Sequence, residues 1–402
     1  MRKKSLEDVK LDQSRVLMRV DFNVPLDADG RVLDDRRIVM ALPSIRRVVE
    51  DGGSLVLMSH MGRPSGTGPE PEFSLKPAAM HLSKLVGPKH RVVFAEDCAG
   101  PAAQAAVEAL KPGEILLLEN LRFHGEEKSN DSSFAQVLAS HGDVYVNDAF
   151  GTAHRDHASM VGVPEAMSSQ PRVAGLLLMK ELDYLSTAIE EAKSPFFAVL
   201  GGAKVSDKLG AIRHLMAHVD VILVGGAMAY TFLKAQGHAV GKSLVEEEML
   251  ETAASLLDEA GQTDTMIKLP TDHRCAASLS DLTDVRTCEF GIPPEFMGLD
   301  IGPETAQAWK TEISKARTVV WNGPLGVFEK PPFHEGSQAV AEGIAKATHH
   351  HAVSIVGGGE TAAAIEQFGL AGKMSHVSTG GGASLAMLEG RSFRSVQLLD
   401  DA

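Results

Sequence analysis

Short runs of Val, Ile and Leu, each followed by a longer stretch with helical spacing, recur along the whole chain, and this alternation restricts the fold more than any other feature. The runs lie at residues 15–20, 54–59, 114–118 and 143–147 in the first half, and at 195–200, 220–224, 266–269, 318–321, 353–356 and 376–378 in the second. They are largely apolar throughout, with little polar alternation, as parallel strands covered on both faces by helices must be. The expected class is therefore α/β, with two Rossmann-like lobes, each a parallel sheet flanked by helices. At 402 residues the chain exceeds one ordinary core, taken as roughly 150 residues per domain, which suits two lobes. Residues 176–192 set Leu and Ile at helical spacing opposite polar positions and predict an interdomain helix. The expected divisions are a first lobe over 1–172, a hinge helix over 173–193 and a second lobe over 194–389.

No stretch approaches the ~20 apolar residues that a spanning helix needs, and no apolar run follows the basic N-terminus, so a cytoplasmic protein without membrane contact is expected. Acidic residues outnumber basic ones by 53 to 39, a formal charge of -14, which argues against a nucleic-acid partner. A small phosphorylated ligand stays open, because exposed charges are screened beyond about 8 Å and a local basic cleft can dominate. Cys98, Cys275 and Cys288 have neither metal-ligand spacing nor a paired framework and read as reduced structural thiols. Residues 64–72, PSGTGPEPE, read as a mobile surface loop.

In open parallel sheets a ligand sits beyond the carboxyl ends of the strands, so the residues just after each run matter most. In the first half these are Asp21, Phe22 and Asn23, then His60, Met61, Gly62 and Arg63, then Arg122, then 148–155 ending in Arg155, with Arg36 beyond the first turn. A single Arg is most often a surface salt-bridge partner. Recurrence after strand upon strand favours a site for a small anion, since the guanidinium fork matches carboxylate and phosphate.

Glycine takes these places in the second half: Gly201 and Gly202, Gly225 and Gly226, Gly323, 357–359 and 380–382. Glycine lets the backbone approach a phosphate, and the helix that follows aims free N–H groups and its positive dipole end at the anion. Tight strand-to-helix packing would explain one such turn; two triple-glycine turns, each opening a helix, favour a nucleotide. Lys204 and Lys208, spaced for one helical face, fit a bound phosphate between them. Residues 237–243, GHAVGKS, fall one residue short of a Walker A loop, and neither triple-glycine turn completes a dinucleotide fingerprint. His349, His350 and His351, being adjacent, cannot all face one ion, and Trp309 and Trp321 read as packing residues. The residues thus leave three readings: a kinase for a small anionic metabolite, a nucleotide-binding regulator without turnover, and, more weakly, a nicotinamide-dependent oxidoreductase.

The segments RVLMRVDFNVPL, SHMGRP, LLLENLRFH, NDAFGTAHRDHAS, LGGAKVSDKL, VWNGPLGVFE, GGGET and STGGGASL, in this order over about residues 15–390, resemble the phosphoglycerate kinase family. The resemblance implies reversible phosphoryl transfer in line between ATP and the carboxylate of 3-phosphoglycerate, after the lobes close about the hinge, with Mg²⁺ accompanying ATP or ADP; nothing in the sequence demands more than a monomer. It implies that Asp21, Phe22, Asn23, Arg36, His60, Met61, Gly62, Arg63, Arg122 and Arg155 hold the phosphoglycerate. It assigns the nucleotide to Gly202, Lys208, Gly225, Gly226, Asn322, Glu329, Gly358, Gly359, Glu360 and Thr361, with Glu329 at the ribose and the 380–384 turn near the phosphates. Arg36, Lys204 and Lys208 become the expected catalytic cations, and Glu360 the expected metal ligand, standing where the family often has Asp. The tail, about 390–402, is expected to pack back on the first lobe, although it lacks the family's LPGV-like ending.

Overall fold

The computed structural model describes residues 2–289 and 291–402. It divides into two units, one running to Leu182 and taking up Ser392–Ala402, the other comprising Asp183–Arg391.

The first unit is built on strands β1 (Arg15–Arg19), β2 (Ser54–Met58), β3 (Val92–Ala95), β4 (Ile115–Leu118), β5 (Val144–Asn147) and β6 (Arg172–Ala174). Their order is β3-β4-β2-β1-β5-β6, with every pairing parallel. Strands β2, β4 and β5 are buried along their whole length, which is why they read as unbroken apolar runs. Strand β3 is half-buried and β6 has only three residues, so neither stood out in the sequence. The chain leaves β1 on one side and returns to its other side at β5, which puts the topological switch between these two strands.

The second unit contains β7 (Phe196–Leu200), β8 (Val221–Val224), β9 (Met266–Lys268), β10 (His273–Ala276), β11 (Arg286–Cys288), β12 (Met297–Ile301), β13 (Thr318–Asn322), β14 (Val353–Gly357) and β15 (His376–Val377). The main sheet has the order β15-β14-β13-β7-β8-β9, again all parallel, with its switch between β7 and β13. An antiparallel sheet, β11-β10-β12, adds to the parallel plan; HRCA and RTC are too polar to read as buried strands. GHAVGKS runs along this small sheet, with Lys242 N donating to Phe296 O and Ser243 Oγ accepting from Gly298 N, so it opens no helix toward a ligand. Trp309 and Trp321 lie in the main core, and all three cysteines are free and buried.

The boundary between the units falls inside the helix Leu176–Glu190. Its first turn is capped from β5's far end: Asp148 Oδ1 accepts from Leu177 N at 2.9 Å and Leu178 N at 3.2 Å. Asp148 is wholly buried, and burial pushes its carboxyl up to about 7. The tail is fastened to the first unit by Arg172, whose Nη2 donates to Asp400 at 2.9 Å, and by Ser395 Oγ, which donates to Ala153 O at 2.6 Å.

The segment 64–72, expected to be mobile, is pinned. Gly68 N donates to Phe123 O at 3.0 Å, Gly125 N donates to Gly66 O at 2.9 Å, and Thr67 bridges His124. Its polar composition marked a surface loop but carried no information on these backbone partners. No helix among the described residues is long and apolar enough to cross a membrane.

Candidate functional site

At the first sheet's carboxyl edge, residues from three strand ends are stitched into one network. Asn23 Oδ1 accepts from Gly62 N at 2.9 Å, and Arg122 Nη1 donates to Gly62 O at 2.7 Å. Asn120 donates to Met61 O at 2.7 Å and accepts from Arg122 N at 3.0 Å, fixing the turn that carries Arg122. Phe22 and Met61, expected to touch ligand, belong with their side chains to the apolar core. What the edge keeps of them is backbone, and Phe22 N already donates to Ser59 Oγ at 2.8 Å.

The structure exchanges two neighbours. Arg36, expected as the transferring cation, is gripped by Asp34, which accepts from Arg36 Nε at 2.9 Å and Arg36 Nη2 at 2.5 Å. Arg37 reaches the edge instead, its Nη1 donating to Asp21 Oδ2 at 3.0 Å and Asn23 O at 3.1 Å. Both begin the helix Arg36–Glu50, where consecutive residues point about 100° apart, so only one can face the sheet edge.

Behind the edge lies Arg19, which the sequence reading passed over although it is a charge inside an apolar run. It is fully buried, donating to Ser159 Oγ at 2.9 Å and to Val20 O. Ser159 in turn donates to the buried Glu127 at 2.6 Å. Arg19 Nη2 also lies 3.1 Å from His60 Nδ1. A guanidinium can only donate, so Nδ1 is the acceptor and the neutral ring carries its hydrogen on Nε2. Burial, and then the positive charges of Arg19, Arg122, Arg155 and Arg37, hold His60 well below its usual range. His60 is therefore a neutral donor near physiological pH.

Burial and mutual repulsion lower the guanidiniums too. Arg122 is brought to about 10 by burial first, then by Arg155 and Arg19, and its Nε is buried without a hydrogen-bond partner. Arg155 is lowered by burial and by Arg19, Arg63 and Arg37, while Asp21 opposes. Neither Arg63 nor Arg155 has an ion-pair partner among the described residues. Positive charge this crowded and this poorly answered suits a ligand with several negative oxygens.

The second edge works by space. A cavity of about 590 Å³ opens where β7, β13 and β14 end, lined by Gly201, Gly202, Lys204, Asp207, Lys208, Asn322, Gly358, Gly359, Glu360, Thr361, Gly381 and Gly382. The helices Gly359–Gln367 and Gly381–Leu388 begin side by side here: a Cβ on Gly381 would come within 3.0 Å of Gly359 N. Their first-turn N–H groups have no acceptor within the helix and, with the dipoles, favour an anion. Gly358 caps the first of them at φ +98, which only glycine adopts at little cost. Lys208 Nζ donates to Asn322 Oδ1, leaving Asn322 Nδ2 buried and unpartnered. Burial lowers Lys208, against the pull of Asp207, Glu360 and Glu389. Asp207, absent from the sequence candidates, is with Glu360 an exposed carboxylate of this cavity, a pair of hard oxygen donors that suits Mg²⁺.

Lys204 and Lys208 do not share a helical face. They lie in the turn before the helix Leu209–Leu215, which Glu246 holds open by accepting from Val205 N at 2.6 Å, Ser206 N at 3.1 Å and Ser206 Oγ at 2.6 Å. Both still line the cavity. Gly225, Gly226 and Glu329 do not. A Cβ on Gly225 would strike Leu325 at 2.5 Å and one on Gly226 the backbone of Gly202 at 2.6 Å, so both glycines serve close packing. Glu329 is exposed in a turn outside the cavity.

The family model described as phosphoglycerate kinase matches residues 6–391. The chain is 52% identical to phosphoglycerate kinase of Rhodopirellula baltica and 52% identical to that of Chlorobium phaeobacteroides, over the full length of each protein. Among solved structures, phosphoglycerate kinase from Coxiella burnetii aligns with TM-score 0.86 at 38% identity, covering 98% of both chains. The enzyme from Pyrococcus horikoshii aligns with TM-score 0.85 at 32% identity, covering 99% of this chain and 98% of that one.

Proposed function

The chain belongs to the phosphoglycerate kinase family, and on that premise we propose how its two strand edges divide a reversible phosphoryl transfer between ATP and the carboxylate of 3-phosphoglycerate, giving ADP and 1,3-bisphosphoglycerate. The observation that carries the division is chemical: one edge offers crowded guanidiniums around a neutral imidazole, the other offers backbone N–H groups, two lysines and space.

Arg37, Arg63, Arg122 and Arg155 hold the phosphoglycerate oxygens, with Asp21 and Asn23 fixing Arg37 and the Gly62 turn. His60 gives its Nε2 hydrogen to an acceptor oxygen without bringing further charge, which leaves the carboxylate nucleophilic. No general base is required, because a carboxylate with an ordinary pKa near 4 is ionised at neutral pH. Lys204 and Lys208, with the N–H groups of Gly359, Glu360 and Thr361, stabilise the charge spread over the transferring group's equatorial oxygens. Gly202 lines the cavity, while Gly225, Gly226 and Glu329 lie outside it and are assigned to base and ribose by the family resemblance alone. Mg²⁺ accompanying the nucleotide, held by Glu360 with Asp207 nearby, would neutralise phosphate charge. The proposal includes a monomeric, cytoplasmic enzyme.

Purified protein supplied with Mg²⁺ and ATP is expected to release ADP only when 3-phosphoglycerate is added. ATP binding in calorimetry without such turnover would replace this reading with that of a nucleotide-binding regulator.

A further inference from the structure

We propose that Asp97, Cys98 and His124 form a binding site for a divalent transition metal of the zinc class, apart from the phosphoryl-transfer residues. A carboxylate oxygen, the thiol Sγ and an imidazole nitrogen lie within 4.8 Å of one another, in the one such His, Cys, Asp and Glu group among the described residues. The topology brings them together: β3 and β4 pair in parallel, so Asp97 and Cys98, just past β3, meet His124, just past β4.

Each ligand is already held in place. Asp97 Oδ1 accepts from Cys98 N at 2.7 Å and lies 2.8 Å from His124 Nε2, which therefore carries the ring hydrogen there. The His124 ring stacks on Phe134, with centroids 5.2 Å apart, and His141 Nε2 donates to Cys98 O at 3.2 Å. Such fixing by neighbouring groups is what ligand side chains require. The Cys98 side chain is fully buried and makes no hydrogen bond among the described residues.

Beside the cluster is a cavity of about 420 Å³ lined by residues 66–69 with Glu96, Asp97, Phe123, His124 and Glu126; its wall holds neither Lys nor Arg, and of the three ligands only Asp97 and His124 belong to it. Its charge favours a cation, and its donors decide which. Thiolate with imidazole selects zinc-class ions over Mg²⁺, which takes oxygen ligands. Zinc bond lengths of about 2.0–2.3 Å ask the Cys98 Sγ to draw in and Asp97 Oδ1 and His124 Nε2, now 2.8 Å apart, to open slightly, leaving a fourth position for water or for the carboxylate of Glu96 or Glu126. Binding would release the Cys98 thiol proton to solvent, and His124 would move its hydrogen to Nδ1. The ion would tie the segment two residues beyond Arg122 to the turn that follows β3.

The test uses full-length, metal-stripped protein titrated with Co²⁺. The expected result is stoichiometric binding with a thiolate-to-cobalt charge-transfer band, reversed by Zn²⁺ and untouched by excess Mg²⁺. Cys98→Ser should abolish the band, and His124→Gln should weaken Co²⁺ binding by about tenfold or more, while the double variant Cys275→Ser with Cys288→Ser should behave as the parent. His124 is partly exposed, so its variant keeps the test decisive if Cys98→Ser fails to fold. Absence of the band in the parent, its survival in Cys98→Ser, undiminished binding by His124→Gln, or loss of the band in the double variant would overturn the proposal.

Discussion

The two strand edges answer the same need, holding negative oxygens, by opposite means. The first does it with side chains: Arg122 and His60 are almost wholly buried, Arg122 aimed by its hydrogen bond to the Gly62 turn and His60 by that from Arg19 of β1. The second does it by leaving side chains out, so that backbone N–H groups at two adjacent helix starts face a cavity. A side-chain edge must bury charge and answer it within the protein, and Glu127 behind Arg19 is that answer. A backbone edge carries no such cost but depends on a conformation that one Cβ would spoil. Damage to the first should therefore appear in stability as well as in activity, and damage to the second in nucleotide binding.

The largest effect falls on the buried charge. Arg19→Gln should destabilise the first unit by ~3–5 kcal/mol in denaturant unfolding, since Glu127 is left uncompensated. Adding Glu127→Gln should recover part of that loss. No recovery would mean that the pair is not energetically coupled. Next, Arg37→Ala should lower kcat/KM for phosphoglycerate by about 10²–10³, the scale of losing one donor to transition-state charge, with ATP affinity nearly intact. Arg36→Ala, whose partner is Asp34, should cost far less, and the reverse ranking would undo the exchange of roles. Lys208→Ala should weaken ATP binding about 10- to 100-fold, as a charged hydrogen bond of ~1.5–3 kcal/mol predicts, and leave phosphoglycerate affinity alone. Equal loss of both affinities would erase the contrast between the edges.

The last effect is one of pH alone and concerns Asp148, the cap of the helix within which the units divide. Its carboxyl is raised to about 7 in the fold against an ordinary value near 4, so the folded state favours the protonated form. Its contribution to stability is full below the unfolded value and is lost as pH rises through 7. Melting temperature should accordingly fall between about pH 4 and pH 7 and level off above, and Asp148→Asn, which keeps the acceptor oxygen, should flatten that slope. An unchanged slope would mean that the carboxyl is already ionised in the fold.

The strands wholly buried by helices were legible as apolar runs, and so were the arginines and glycines placed just beyond them. Strands β3, β6, β10, β11 and β12 were not: the first four are half-buried, polar or very short, and β12, although mostly buried, is interrupted by Gly298 and Asp300. Arg19 could have been noticed as a charge within such a run, whereas Asp207 and Glu127 carry no local signal.

By itself the sequence determined two parallel sheets with a basic carboxyl edge and a glycine edge, because burial on both faces and the approach of backbone to phosphate each demand a residue type at a strand end. Tertiary structure alone decided which of Arg36 and Arg37 faces the sheet, which nitrogen of His60 carries the hydrogen, and that Asp97 and Cys98 meet His124. Each of these depends on direction or on contact between distant segments, and a linear order of residues specifies neither until the chain has packed.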